Sequence, residues 1–263
     1  MVTGWVGGHA GRFIEEGLLA ENIGAAFVHT DAEPRTCPSI LDSESGGVTE
    51  IYERGEPVSE PQVAELLARY RVLLGQVAGV TLSGTLPPGC PPDLYRTLIE
   101  LAREHGRPAY LDSSGAALRE GLLGRPALVK PNAAEFADLT GAPSTGPANM
   151  IRAMQEIAAR CETSVVVSLG AAGALATDGR AAWEVRAPRV AARSAVGSGD
   201  CLLAGLAWGL SRGLPLPEAL RRGVAAGSAN TLQTGAGRFA RAEFERLLAE
   251  TMITTVHERD AAP

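Results

Sequence analysis

The run Ala195-Val196-Gly197-Ser198-Gly199-Asp200 leads straight into Cys201-Leu202-Leu203-Ala204-Gly205-Leu206. Two glycines bracket a serine, an aspartate follows, and apolar residues then recur at helical spacing. This pattern predicts a tight turn feeding a helix N-terminus. The first N–H groups of a helix have no partner inside it, and the peptide dipoles add partial positive charge there. Such a turn suits a phosphate, and Asp200 stands beside it where a substrate hydroxyl could give up its proton. A phosphate cradle next to a carboxylate base is what transfer of a phosphoryl group to an alcohol requires. The same residues also fit a plain capped helix after a glycine turn, so the surrounding elements carry the decision.

From residue 59 the chain alternates strand and helix. Ser59 and Gln62 form a capping box with Pro61 in the first turn, and Val63, Leu66, Leu67, Tyr70 and Leu74 follow at helical spacing. Strands are expected at 79–82, 109–112, 127–130, 164–169, 173–177, 181–186 and 189–193. Helices are expected at 92–105, 133–140, 148–160, 200–212, 217–233 and 241–250. The β-branched run Val165-Val166-Val167 is the clearest buried strand. This order predicts an α/β fold: a doubly wound, mostly parallel sheet flanked by helices. Residues 35–54 differ. Arg35–Asp42 and Gly47–Tyr52 read as two strands joined by the turn Ser43-Glu44-Ser45-Gly46, either a small β lid over a site or an ordinary edge hairpin.

In an open α/β sheet, ligands bind at the carboxyl edge of the strands. Five polar or glycine-rich loops fall there: Ser83–Gly89, Asp112–Gly115, Lys130–Glu135, Ser168–Gly173 and Gly197–Asp200. Together they point to a nucleotide or phosphate site.

Composition narrows the classes. The chain has 263 residues with 45% hydrophobic and 21% charged content, and it is read as one domain over residues 1–263. A net charge of −6 argues against a nucleic-acid surface. There is no apolar run of membrane-span length and no signal-peptide pattern at Met1–Gly8, so no membrane partner is expected. Cys37, Cys90, Cys161 and Cys201 lie far apart without a C-x-x-C pair, consistent with reduced thiols in a cytoplasmic protein and against a zinc site.

The ordered set Ser83-Gly84-Thr85-Leu86-Pro87-Pro88-Gly89, Lys130-Pro131-Asn132-Ala133-Ala134-Glu135, Ser168-Leu169-Gly170-Ala171-Ala172-Gly173, Gly197-Ser198-Gly199-Asp200 and Ala225-Ala226-Gly227-Ser228-Ala229-Asn230 with Gly235 and Gly237 resembles the PfkB, ribokinase-like carbohydrate kinases. Within them it is most similar to the branch of 1-phosphofructokinase and tagatose-6-phosphate kinase. The resemblance runs from Gly4 to about Leu248. It implies ATP-dependent phosphorylation of a ketohexose phosphate (fructose 1-phosphate, fructose 6-phosphate or tagatose 6-phosphate) to the bisphosphate. Asp200 would be the general base, and the N–H groups of Gly197, Ser198 and Gly199 the anion hole for the transferring phosphoryl. Asn132 and Glu135 would hold Mg²⁺ through water. Ser168, Gly170 and Gly173 would line the ATP phosphates or ribose, with Asn230 and Gly235 near adenine. Arg35 and Ser83 would bind the sugar phosphate, Arg35 through bidentate contacts. The backbone around Ala195 and Val196 holds K⁺ in some relatives. A homodimer through the lid is expected. The readings that compete are a kinase of an unphosphorylated sugar or nucleoside on the same fold, and a non-catalytic nucleotide- or sugar-phosphate-binding remnant.

Two departures from the family pattern stand out. Relatives begin with a strand carrying Asn-Pro and a sugar-binding aspartate, followed by Gly-Gly-Lys-Gly-x-Asn, whereas Met1 here falls just before Gly4, Gly7, Gly8 and Gly11. By that resemblance a central strand and part of the lid are absent, which would leave neighbouring backbone groups exposed. The intact motifs favour a start placed too late over a truncated, impaired form. Ala195 also stands where relatives usually carry Thr, removing one hydroxyl near the anion hole but not its backbone donors.

Overall fold

Residues 1–34 hold three elements that the sequence pattern does not announce. In the computed structural model, which describes residues 1–42, 47–141 and 146–258, strand β1 (Trp5–Gly7) is followed by helix α1 (Gly8–Ala20) and strand β2 (Val28–Thr30). β1 and β2 pair in parallel, with Trp5 opposite Val28 and Gly7 opposite Thr30. α1 shows no apolar stripe because it buries only Gly11, leaving Phe13 77% and Leu19 76% exposed. Its cap is remote: the Glu33 carboxylate accepts from the N–H groups of His9 and Ala10, each at 2.7 Å. Those bonds hold the Glu33 carboxyl below its ordinary value.

Strands β3 (Ser39–Leu41) and β4 (Val48–Glu50) form the expected antiparallel hairpin, with Ile40 opposite Thr49. Both are shorter than the sequence predicts. Pro38 offers no N–H to extend the ladder, and the Thr36 N–H donates to Glu53 Oε2 at 2.8 Å instead. The predicted turn Ser43–Gly46 lies outside the described residues. Helix α2 (Glu60–Leu74) starts at the predicted capping box, where the Ser59 N–H donates to Gln62 Oε1 at 2.8 Å. Its buried face is Val63, Leu66, Tyr70 and Leu74. These elements, Met1–Val77 with Thr85–Leu94, make one compact unit.

The second unit, Ala78–Gly84 with Tyr95–Pro263, is built on a sheet. Strand β5 (Val80–Ser83) leads through helix α3 (Leu94–Glu104) to β6 (Ala109–Asp112). Next come α4 (Gly115–Leu123), β7 (Leu128–Val129), α5 (Ala133–Thr140), α6 (Pro147–Cys161) and β8 (Ser164–Ser168). β9 (Gly173–Thr177), β10 (Ala181–Arg186), α7 (Ser198–Ser211), α8 (Leu216–Asn230), α9 (Arg241–Glu250) and β11 (Met252–Glu258) complete it. The strand order is β11-β10-β9-β8-β7-β6-β5. β5 to β8 pair in parallel, and β9, β10 and β11 are each antiparallel to their neighbours. Five of these seven strands, β5 to β8 and β10, therefore run one way, as the predicted mostly parallel sheet requires.

Alternation of side chains separates the two faces. Tyr110, Leu128, Val166, Ala174, Ala176 and Val185 pack against Leu202, Leu206, Leu220 and Val224 of α7 and α8. On the opposite face, Leu111 meets α4, where a β-carbon on Gly121 would lie 2.6 Å from Leu111 Cδ2. Val165, Val166 and Val167 have no exposed surface, as a strand covered on both faces demands. α7 and α8 approach closely enough that a β-carbon on Gly223 would lie 2.6 Å from the Leu202 carbonyl.

One expected strand, 189–193, does not form. β10 is already paired on both sides, by β9 and β11, so the segment cannot add beside the strand it follows. It is tied instead to the end of α8, where the Arg193 N–H donates to the Thr231 carbonyl at 2.7 Å. Among the described residues no helix is long and apolar enough to cross a membrane.

Candidate active site

Because β5 to β8 are parallel, the loops after them leave the sheet at one edge. β6 ends on Asp112 and β7 is followed by Lys130, and the two form an ion pair of 2.9 Å with side chains 17% and 4% exposed. Burial pushes the Asp112 carboxyl up, the Lys130 ammonium pulls it down, and the carboxylates of Glu135 and Asp200 add repulsion. The pair is thus a buried charge network at the strand ends. Lys130 also faces the turn before α7, where a β-carbon on Gly199 would lie 3.8 Å from Nζ.

That turn is fixed by its own residues. Gly197 has φ +78°, and a β-carbon there would lie 2.7 Å from Ala236 Cβ, so both conformation and space call for glycine. The Ser198 N–H donates to the Ala195 carbonyl at 3.1 Å and the Cys201 N–H to the Gly197 carbonyl at 2.9 Å. The N–H groups of Gly197, Gly199 and Asp200 have no acceptor among the described residues. Of the three donors expected in the anion hole, those of Gly197 and Gly199 are therefore open and that of Ser198 serves the turn. Asp200 is exposed in the first turn of α7 and makes no ion pair or side-chain hydrogen bond among the described residues. It borders a cavity of about 450 Å³ whose walls include Ala204, Trp208, Arg222 and Phe239.

Asn132 and Glu135 stand at the start of α5, where they form a reciprocal cap. Asn132 Oδ1 accepts from the N–H groups of Ala134 and Glu135, each at 2.9 Å, and Glu135 Oε2 accepts from the Asn132 N–H at 2.8 Å. Glu135 Oε1 has no partner among the described residues. No group of three His, Cys, Asp or Glu side chains among them could chelate a metal directly. A hard-oxygen donor such as Glu135 Oε1 therefore fits Mg²⁺ only with waters and phosphate oxygens filling its other positions.

Ser168 bridges Asn132 across neighbouring strand ends, its N–H donating to the Pro131 carbonyl at 3.1 Å. Gly170 opens a single 3-10 turn over Gly170–Ala172. Gly173 has φ +108°, and a β-carbon would lie 2.0 Å from the Val185 carbonyl, so β10 itself demands a glycine there. Asn230 ends α8 with no exposed surface, and Gly235 lies exposed in the following turn. Ser83 ends β5, where Tyr95 Oη donates to the carbonyls of Ser83 at 2.9 Å and Gly84 at 3.0 Å.

Arg35 lies in the first unit, exposed, at a cavity of about 560 Å³ that Trp5, Thr30, Glu33, Arg54 and Pro87 also line. Neither Arg35 nor Arg54 has an ion pair among the described residues. Arg54 and Lys130 are charged groups to which motif reading gives no role, whereas Asp112 is expected as a helix cap or network residue and is found paired to Lys130. Only the position of Lys130 directly after a strand signals the pair, and nothing local marks Arg54.

The profile of the pfkB family carbohydrate kinases matches residues 2–242. Phosphofructokinase-2 from Escherichia coli, solved in complex with potassium, is 31% identical with a TM-score of 0.86 over 94% of this chain and 81% of that one. The same enzyme solved with fructose-6-phosphate is 29% identical, with a TM-score of 0.82 over 94% and 80%. A Thermotoga maritima protein named as a possible 1-phosphofructokinase shares the fold at 24% identity, with a TM-score of 0.88 over 97% and 82%. The profile, which covers residues 2–242, places this chain in the pfkB family of carbohydrate kinases.

Proposed function

We propose that this ATP-dependent kinase phosphorylates a hydroxyl of a phosphorylated ketohexose (fructose 1-phosphate, fructose 6-phosphate or tagatose 6-phosphate), giving the bisphosphate. The observation that carries the reading is the unpaired Asp200 carboxylate beside the open N–H groups of Gly197 and Gly199. Asp200 takes the proton of the acceptor hydroxyl as the new P–O bond forms and the bond from the γ-phosphorus to the bridging oxygen breaks, releasing ADP. The open N–H groups and the α7 dipole stabilise the charge that spreads over the equatorial oxygens of the moving phosphoryl. The Lys130 ammonium adds positive charge on the same side. Magnesium, when bound with ATP, neutralises the phosphate oxygens, and Glu135 Oε1 with Asn132 holds its water shell. Ser168, Gly170 and Gly173 present backbone to the nucleotide. Arg35 reads the phosphate already on the sugar, the task for which a planar guanidinium is suited.

Escherichia coli phosphofructokinase-2, crystallised with fructose-6-phosphate, supports a phosphorylated acceptor. The test is ADP release with Mg²⁺ across a panel of phosphorylated and unphosphorylated ketohexoses, repeated with Arg35→Ala. Loss of a charge-assisted contact worth roughly 1.5–3 kcal/mol should raise KM for phosphorylated acceptors alone by about ten- to a hundredfold. An equal rise for unphosphorylated sugars, or turnover only with them, would replace this reading with a plain sugar or nucleoside kinase. The hairpin exposes Ile40, Ile51 and Tyr52, which supports pairing with a second copy of the chain. Light scattering of an Ile40→Glu variant that stays dimeric would remove that role for the hairpin.

A further inference from the structure

The Asn230 side chain has no exposed surface, so it meets no ligand directly. It is nevertheless the most heavily used polar group behind the phosphate turn. Its Nδ2 donates to the Val196 carbonyl at 2.8 Å and to Ser198 Oγ at 3.2 Å. Its Oδ1 accepts from the Gly237 N–H at 2.8 Å. The last bond fixes the amide's orientation, because a backbone N–H can only donate, and the –NH₂ group must then face the two oxygens. Asn230 therefore ties three separate pieces together: the end of α8, the 195–198 turn and the loop carrying Gly235 and Gly237. The turn has other anchors. The Arg193 and Ser194 N–H groups donate to the Thr231 carbonyl, and the Val196 N–H donates to Ser194 Oγ at 3.2 Å. Among the described residues, only the Asn230 amide satisfies the Val196 carbonyl.

A carbonyl and a hydroxyl oxygen converging behind a phosphate turn form an oxygen-rich spot that a monovalent cation could fill, and family resemblance places K⁺ around Ala195 and Val196. We propose that in this chain the Asn230 amide takes that place: its –NH₂ group satisfies the oxygens a cation would ligate, and the turn is held in its phosphate-binding shape without K⁺. Asn230 is thus a positioning residue, acting on the transferring phosphoryl through the open N–H groups of Gly197 and Gly199. The energetic logic is that of a buried network in which every member is satisfied. Removing the amide takes from the half-buried Val196 carbonyl its one partner among the described residues, which costs more than the bond itself is worth to the extent that water cannot replace it.

The test is thermal unfolding of the whole chain without substrates, in KCl, NaCl or tetramethylammonium chloride at equal ionic strength, alongside ATP turnover in the same salts. The substrate-free arm stands apart from the ketohexose-phosphate reading, so failure of one leaves the other intact. The wild-type chain should have the same Tm in all three salts and a turnover that does not rise with K⁺. Asn230→Ala should lose several degrees of Tm and regain a measurable part in KCl but not in tetramethylammonium chloride, since removing the amide opens the oxygens to a cation. Asn230→Asp keeps the acceptor for Gly237 and removes the donors, and it should show the same selective rescue. A wild-type Tm or rate that climbs selectively with K⁺ overturns the proposal, whether or not the variants fold. So does a folded Asn230→Ala that is destabilised equally in every salt, for then the amide is a structural bond and not a stand-in for a cation.

Discussion

Lys130 and Arg35 are both basic residues to which the proposed reaction gives a phosphate-facing charge, yet the fold treats them in opposite ways. Lys130 sits directly after β7 with its side chain 4% exposed, paired to Asp112 at 2.9 Å. Arg35 lies in an irregular segment ahead of β3, exposed, with no ion pair among the described residues. The sheet unit fixes its charges before any ligand arrives: buried strands supply rigid ends, and the network there is closed. Preorganisation of this kind matters most where charge develops in a transition state. The hairpin-bearing unit offers long, solvated guanidiniums around a cavity of about 560 Å³. Such groups choose a partner at small cost to stability and can differ between related enzymes. On the reading proposed above, the reaction would fall to the sheet unit and the choice of acceptor to the hairpin-bearing one.

The largest effect that could break this division is at Asp200. Asp200→Asn keeps size and helix but removes the base, and kcat should fall by about 10²–10⁴ while calorimetry still shows ATP binding. Near-normal turnover would move the base elsewhere. Next come the two cations, read by thermal or denaturant unfolding. Lys130→Met leaves Asp112 as a buried unpaired charge and should cost roughly 3–5 kcal/mol. Arg35→Met removes an exposed charge and should change stability by no more than about 0.5 kcal/mol. Similar losses at both positions would erase the contrast.

The sheet unit was also the more legible of the two in sequence, for the same physical reason. Val165-Val166-Val167 is a local signal, and β8 appears where it predicts, as α5 does over the helix expected at 133–140. The glycines and aspartate of the 197–200 turn are likewise a contiguous pattern. What stayed hidden depends on distant partners. α1 takes its cap from Glu33, more than twenty residues downstream, and has no buried stripe to betray it. β11 pairs only with β10, some seventy residues earlier, at the edge of the sheet. The segment 189–193 looks like a strand but is tied to the end of α8 through the Thr231 carbonyl. In the site, the residues that bear chemistry were visible one motif at a time. The contacts that join motifs, Lys130 to Asp112 and Asn230 to Val196, link separate elements and have no signature in spacing.

The smallest predicted effect sharpens the comparison through two carboxylates of opposite sign. Burial holds Asp112 above its ordinary value in the fold despite Lys130, so folding favours its protonated form. Its contribution is fully present below the unfolded pKa and is lost as pH rises through the raised folded pKa. Glu33, exposed and accepting from two backbone N–H groups, is held below its ordinary value. Its contribution is present above the unfolded pKa and lost as pH falls through the lowered folded pKa. Tm measured across the acid range for wild type, Asp112→Asn and Glu33→Gln separates them. The wild-type advantage over Asp112→Asn should shrink as pH rises, and the advantage over Glu33→Gln should grow. If both grow with pH, the attraction of Lys130 outweighs the burial of Asp112. The sheet unit would then hold its charges at no net desolvation cost, by the same favourable pairing that the exposed unit achieves with backbone alone.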